Sequence, residues 1–215
     1  YDLSRKIPFV AYEIAASINI YWLDIHDGSL AVSDAGGGLT VLDHDCDLLW
    51  HKKSPGASGW MVRADRDAVY HGYTGGVTAY DWSAGKALWT HPLEGGILFG
   101  WQEPSSVYAG TSRQIVQAIS KQGKTGIVCK CDDSVYSCAA AGDGRYVFAG
   151  DSSSSVYCFD ATGKRLWERA VEQRHHDMAN ALNHAAAITP VVDRDGNVYA
   201  FFKDFGMVSY DAAGK

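Results

Sequence analysis

The sequence predicts an all-β chain of about five four-stranded antiparallel sheets. Two observations carry that prediction: a phrase that keeps returning, and three short apolar bursts between one copy and the next. The phrase is an aromatic or apolar residue, usually Asp, a Gly-containing turn, a basic residue and Leu-Trp. It reads Tyr80-Asp81-Trp82-Ser83-Ala84-Gly85-Lys86-Ala87-Leu88-Trp89 and again Phe159-Asp160-Ala161-Thr162-Gly163-Lys164-Arg165-Leu166-Trp167. A weaker copy runs from Leu42-Asp43 to Leu49-Trp50, and a weaker one still from Ala118-Ile119 through Gly123-Lys124 to Ile127, which takes the Trp slot. The chain begins in the phrase at Tyr1-Asp2 and ends in it at Tyr210-Asp211-Ala212-Ala213-Gly214-Lys215. Phrase starts at 1, 42, 80, 118, 159 and 210 give steps of 41, 38, 38, 41 and 51 residues. A period of about 40 residues marks a repeat architecture.

The elements follow from the bursts. In the second unit they are Trp60–Arg63, Ala68–His71 and Gly76–Tyr80; in the fourth, Val135–Ala141, Arg145–Gly150 and Ser155–Asp160. Short runs rich in Val, Tyr, Phe and Trp, bounded by Gly, Asp and Ser, are strand signals. Gly36-Gly37-Gly38, Gly75-Gly76, Gly142-Asp143-Gly144 and Asp195-Gly196-Asn197 supply the positive φ that tight hairpins require. Four strands per unit make one antiparallel blade, and such blades set radially around an axis form a β-propeller, counted as one domain over residues 1–215. Trp50, Trp89 and Trp167 are expected in the core between blades, where an indole buries about 150–250 Å². Gly85, Gly163 and Gly214 are expected to let the chain reverse between third and fourth strands.

Two closures satisfy the pattern. Residues 5–14 read as an outer strand lacking three inner partners, and residues 184–211 as three strands lacking an outer one. Pairing them closes a five-bladed ring without exposed edges. Alternatively, the five units are an arc of a seven- or eight-bladed ring.

Composition narrows the partners. The 215 residues are 47% hydrophobic, with 19 basic and 25 acidic side chains and a formal charge of −6. No Lys/Arg cluster marks a phosphate track, so nucleic acid is not an expected partner. The apolar stretches are far shorter than the roughly 20 residues of a membrane span. Cys46, Cys129, Cys131, Cys138 and Cys158 form no regular framework and are expected as free thiols, four of them on strands. Free thiols lean towards a reducing compartment.

The fifth unit is longer, and its excess is Glu172 to His184, between an outer strand and the next inner one. Connections of that kind, with those between second and third strands, line one face of a propeller, and loops on a rigid scaffold carry binding residues. The candidate partner contacts are therefore Arg174, His175, His176 and Asp177 of the insertion, with Arg113, Gln114, Asp151 and the pair Asp204-Phe205. The insertion reads as a polar surface loop, since its His residues lack the spacing that places two ligands on one face. Asp193-Arg194-Asp195-Gly196 reads as a hairpin turn because it lacks the rest of a twelve-residue calcium loop.

The phrase as a whole, and Asp160–Trp167 above all, resembles the quinoprotein-type (PQQ-like) propeller repeat. Thr189-Pro190-Val191-Val192-Asp193-Arg194-Asp195-Gly196-Asn197-Val198-Tyr199 resembles that family's inner-strand hairpin. The resemblance implies the propeller fold, leans towards an extracytoplasmic location, and spans functions from quinone-dependent dehydrogenases to assembly lipoproteins and sensor domains. The dehydrogenases use an axial quinone, calcium and an Asp base, many with an adjacent Cys pair; this sequence has no adjacent Cys pair and no recognisable catalytic stretch around an Asp. The expectation is a non-enzymatic, cofactor-free propeller that binds a protein or peptide through its loop face. The alternative is part of a quinone-dependent dehydrogenase or a small-ligand sensor.

Overall fold

The computed structural model describes residues 12, 14, 18–153, 155–170, 188–193, 195–202 and 206–215. Those residues form nineteen strands and no helix. The first sheet comprises β1 (Ile20–His26), β2 (Ser29–Asp34), β3 (Gly38–Leu42) and β4 (Leu48–Lys53). The second runs β5 (Met61–Ala64), β6 (Val69–Tyr73), β7 (Gly76–Tyr80) and β8 (Ala87–Pro92); the third runs β9 (Ile97–Gln102), β10 (Ser106–Thr111), β11 (Ile115–Ser120) and β12 (Thr125–Lys130). The fourth holds β13 (Val135–Ala141), β14 (Tyr146–Asp151), β15 (Ser155–Asp160) and β16 (Arg165–Ala170). The last has three described strands, β17 (Ile188–Val192), β18 (Val198–Phe202) and β19 (Gly206–Tyr210). Each sheet is an antiparallel meander in chain order, so neighbouring strands need only the tight turns the sequence offers.

The first strand of each sheet contacts the first strand of the next, β1 to β5, β5 to β9, β9 to β13 and β13 to β17. The sheets are therefore arrayed in a propeller-like way, with these strands innermost. Four apolar layers lie between the five sheets. Leu39, Val41 and Trp50 meet Val62, Val69 and Tyr80. Tyr70, Val77 and Ala79 meet Ile97, Val107 and Ile119. Tyr108, Val116 and Cys129 meet Cys138, Val147 and Tyr157. Phe148, Val156 and Trp167 meet Val198 and Ala200. Alternation along each strand sends successive residues to opposite faces, so a middle sheet feeds both neighbouring layers.

The repeated phrase is a turn with fixed hydrogen bonds. Asp43, Asp160 and Asp211 each accept, at Oδ1, the backbone N–H groups two and four residues on. Ser120 does the same with its hydroxyl oxygen. This is the Asx-type turn that Asp and Ser favour. The residue three beyond the Asp or Ser is left-handed in all four: Cys46 (φ 66°), Gly123 (78°), Gly163 (83°) and Gly214 (76°). The Asp81 turn is one residue longer and places Gly85 there (φ 62°).

Each Trp reaches into the following sheet. Trp50 Nε1 donates to Trp82 O (2.7 Å), Trp89 Nε1 to Lys121 O (2.9 Å) and Trp167 Nε1 to Ala212 O (3.0 Å). All three carbonyls lie in the next phrase, one residue past its Asp or Ser. Between the third and fourth sheets, where Ile127 holds the Trp slot, Arg165 bridges instead: it donates to Lys130 O (3.1 Å) and grips both Asp132 carboxylate oxygens (2.8 and 3.1 Å).

Of the expected strand at residues 5–14 only residues 12 and 14 are described, neither of them in a strand, and the rest lies outside the described residues. The outward faces of the end sheets are both exposed: Leu23 and Ile25 on the first (53% and 61%), Val191 and Met207 on the last (60% and 72%).

Candidate functional site

Hairpins between second and third strands and links between successive sheets share one face, and the backbone stitches them together. Ser54 N donates to Gly37 O and Thr74 N to Ala57 O, so one link holds the hairpins on both sides of it. Leu93 N to Gly75 O and Ser112 N to Gly96 O repeat this at the next link, and Cys131 N to Gln114 O with Ser152 N to Ser134 O at the third. All six bonds measure 2.8–3.0 Å. These bonds tie the loops of the first four sheets into one rim on the rigid sheets.

Arg113 and Gln114 lie in the β10–β11 hairpin, both exposed. The Arg113 side chain runs beside Gly95 of the neighbouring link, where an added Cβ would stand 2.8 Å from Arg113 Cγ. Gln114 is left-handed at φ 64°. The same position in the first two hairpins is glycine, Gly37 at 80° and Gly75 at 108°. A side chain in that region costs roughly 1–2 kcal/mol, and the third hairpin alone among these three carries one.

Asp151 is on the same face but is not available to a partner. It is fully buried; Oδ1 accepts Ser153 N, Ser155 N and the Ser153 hydroxyl, and Oδ2 accepts the Tyr157 hydroxyl. That hydroxyl is buried beside the carboxylate, which holds its pKa above the ordinary tyrosine range. The expected contact is therefore a hairpin brace: a carboxylate with this many donors gains more from the turn than from solvent. Arg174, His175, His176, Asp177, Asp204 and Phe205 lie outside the described residues. Asp193 forms a hairpin turn, accepting Asp195 N and Asn197 N (2.9 Å each).

The inner strands carry a second polar group that the phrase gave no hint of. Arg63 on β5 donates from Nε to Gly100 O (2.7 Å), with its guanidinium 5.7 Å from the Trp22 ring and 5.1 Å from that of Phe99. Burial lowers the Arg63 pKa, and the charge of Asp24 opposes that. Asp24 Oδ2 accepts Ala64 N (2.9 Å), and Gln102 Nε2 donates to Ala64 O (2.7 Å). A lone basic residue in an apolar strand gives no periodic signal; only its position on the innermost strand makes it notable. An apolar recess of about 390 Å³ runs along Ile20, Tyr21, Trp22 and Leu23.

The thiols on strands are packed, not poised. Cys129, Cys138 and Cys158 are fully buried, and burial pushes each pKa up to about 12; Cys131 moves in the same direction. All five cysteines are free. Among the described residues no three His, Cys, Asp or Glu side chains gather as a metal site, and no helix is long and apolar enough to cross a membrane.

Comparison with known proteins agrees with this architecture. Repeated antiparallel sheets with Asx-type turns, tied at three of their four seams by an indole hydrogen bond, define a propeller-type repeat protein. Residues 132–215, its last two sheets, match the family model described as outer membrane protein assembly factor BamB, in line with the PQQ-like resemblance of the repeated phrase. No curated protein matches the chain. Among solved structures, the crystal structure of the computationally designed Ika8 protein superposes with a TM-score of 0.76 at 13% identity, over 91% of this chain and 59% of that one. At that identity the likeness is one of fold, and the chain spans 59% of the designed protein's length.

Proposed function

We propose that the chain is a non-enzymatic scaffold, an arc of a larger propeller, whose stitched loop face binds a protein or peptide. The observation that carries the reading is Gln114, a side chain held at φ 64° where the first two hairpins have glycine. Backbone strain that persists without a packing role is a pointer to function, and Gln114 is exposed beside Arg113. An Arg–amide pair on a rigid rim suits backbone carbonyls and carboxylates of a partner segment. The match of residues 132–215 to an assembly-factor family supports a role in holding other proteins. The arc is supported by the exposed apolar faces of both end sheets and by a superposition that spans 59% of a longer chain of the same fold.

The test is photo-crosslinking in the source cell, with a crosslinking residue at position 114 and, as control, at position 162 on the opposite face. Adducts specific to position 114 and lost in Arg113→Glu are expected. Equal adducts from both faces, or none from 114, would overturn the reading.

A second reading rests on Arg63: a guanidinium against two aromatic rings on the innermost strands would suit an anionic ligand in the axial funnel, as a small-ligand sensor or quinone-dependent enzyme requires.

A further inference from the structure

Three innermost strands break their register just where they leave the loop face. The ladder skips Tyr21 in β1, between Ile20 and Trp22, Leu98 in β9, between Ile97 and Phe99, and Tyr136 in β13, between Val135 and Ser137. A bulge re-aims the side chain it carries and recurs beside functional sites. In the second sheet Trp60 stands at the same level, just before β5. All four side chains are half-buried, next to Met61, Ile97 and Val135, which are no more than 1% exposed. The Trp60 ring lies 5.0 Å from that of Tyr21, edge to face, and 6.4 Å from that of Tyr136. These rings come from the first, second and fourth sheets, and β9 stands between β5 and β13 in the array, so they meet across the axis. Trp60 Nε1 is buried there with no partner among the described residues.

We propose that this aromatic collar is the central contact of the loop face and takes a proline-rich, extended segment of a protein partner, one of whose carbonyls accepts from Trp60 Nε1. Three features select that occupant. The indole can only donate, and a buried donor is destabilising until an acceptor reaches it. A polyproline segment has no internal hydrogen bonds and no N–H at its prolines, so it brings acceptors without competing donors. Its rings pack on aromatic faces, and its shape is set before binding. The setting agrees, since protein interfaces concentrate aromatic anchors at the centre and polar groups such as Arg113 and Gln114 on the rim. Reaching the N–H requires one of the half-buried flanking rings, Tyr21 or Tyr136, to turn.

The experiment titrates the ¹⁵N-labelled chain with a decaproline peptide and, as control, with a Gly-Ser peptide of the same length. The readout is the indole N–H resonance that Trp60→Phe deletes. Decaproline is expected to shift it saturably and the control to leave it in place; Trp60→Phe, followed by the shifts of neighbouring amides, is expected to bind roughly five- to tenfold more weakly, as the loss of one hydrogen bond requires. No shift at millimolar decaproline would overturn the collar as a binding site. An equal shift from the control would overturn the choice of a proline-rich segment, and undiminished binding by Trp60→Phe would overturn the indole as donor. The collar's role rests on the loop face being the binding face, and the two fail separately: crosslinking from position 114 with no decaproline binding would sink the collar alone.

Discussion

Trp167 of the fourth sheet lies against Gly214 of the fifth, so close that a Cβ added to the glycine would stand 2.9 Å from the indole. The same indole donates to Ala212 O of the same turn. Trp50 with Gly85 and Trp89 with Gly123 repeat the arrangement at 2.7 Å. The glycine in the phrase thus answers two demands, a left-handed backbone and room for the preceding sheet's ring. Gly85→Ala or Gly214→Ala is expected to destabilise by about 2 kcal/mol or more, from left-handed strain and overpacking together. Trp89→Phe keeps much of the packing but removes one hydrogen bond and is expected to cost about 1 kcal/mol or more. Denaturant midpoints measure both; an unchanged midpoint in Gly214→Ala would show that the turn is loosely held.

Cys46 occupies the glycine slot of the first turn at φ 66°. Cys46→Gly removes the left-handed strain and adds some unfolded-state entropy, for a net stabilisation of ~0.5–1 kcal/mol. Gln114→Gly should stabilise by a similar amount for the same reason, but with the crosslinking residue placed instead at exposed Glu94 of the neighbouring link it is expected also to abolish crosslinking from the loop face. Stability gained without loss of partner contact would reduce Gln114 to an accident of the hairpin.

The native chain should expose one reactive thiol. Cys46 is half-buried while the other four are buried, and burial raises their pKa values, so a thiol reagent at pH 8 is expected to label Cys46 alone and all five after denaturation. Rapid labelling of Cys129 or Cys131 in the native protein would contradict the packing between the third and fourth sheets.

His71 predicts an acid sensitivity. It is fully buried on β6, with Nδ1 hydrogen-bonded to the Ser54 hydroxyl (2.8 Å) and no partner at Nε2 among the described residues. Burial lowers its pKa to about 4. Between about pH 6.5 and 4 the unfolded chain binds a proton that the folded chain does not, so stability falls as pH falls through that window. The loss levels off below pH 4 at about 3 kcal/mol for this group. Urea titrations from pH 7 to 4 on the native chain and His71→Gln measure it; equal slopes in the two proteins would refute the assignment.

The sheets were legible in the sequence because the Asp, Gly and Trp of the phrase each perform a repeated local task. Ile127 kept the register of the third sheet readable, but its replacement bridge, Arg165 to Asp132 and Lys130 O, involves residues 33 and 35 positions apart and has no periodic mark. The loop face was legible in part: Arg113 and Gln114 followed from hairpin position. Asp151 misled, because an Asp at a hairpin serves equally as a surface charge or as an internal brace, and only its neighbours decide. Arg63 went unnoticed for a related reason, since its meaning depends on Trp22 and Phe99 from two other sheets.

The most direct test of a non-enzymatic scaffold is titration of the purified chain with pyrroloquinoline quinone and Ca²⁺, followed by quinone absorbance and by reduction of an electron-accepting dye with alcohols or sugars as donors. The account predicts no saturable quinone binding and no dye reduction, with Arg63→Ala indistinguishable from the native chain. Stoichiometric quinone binding that Arg63→Ala abolishes would contradict it and move the functional centre from the loop face to the axis.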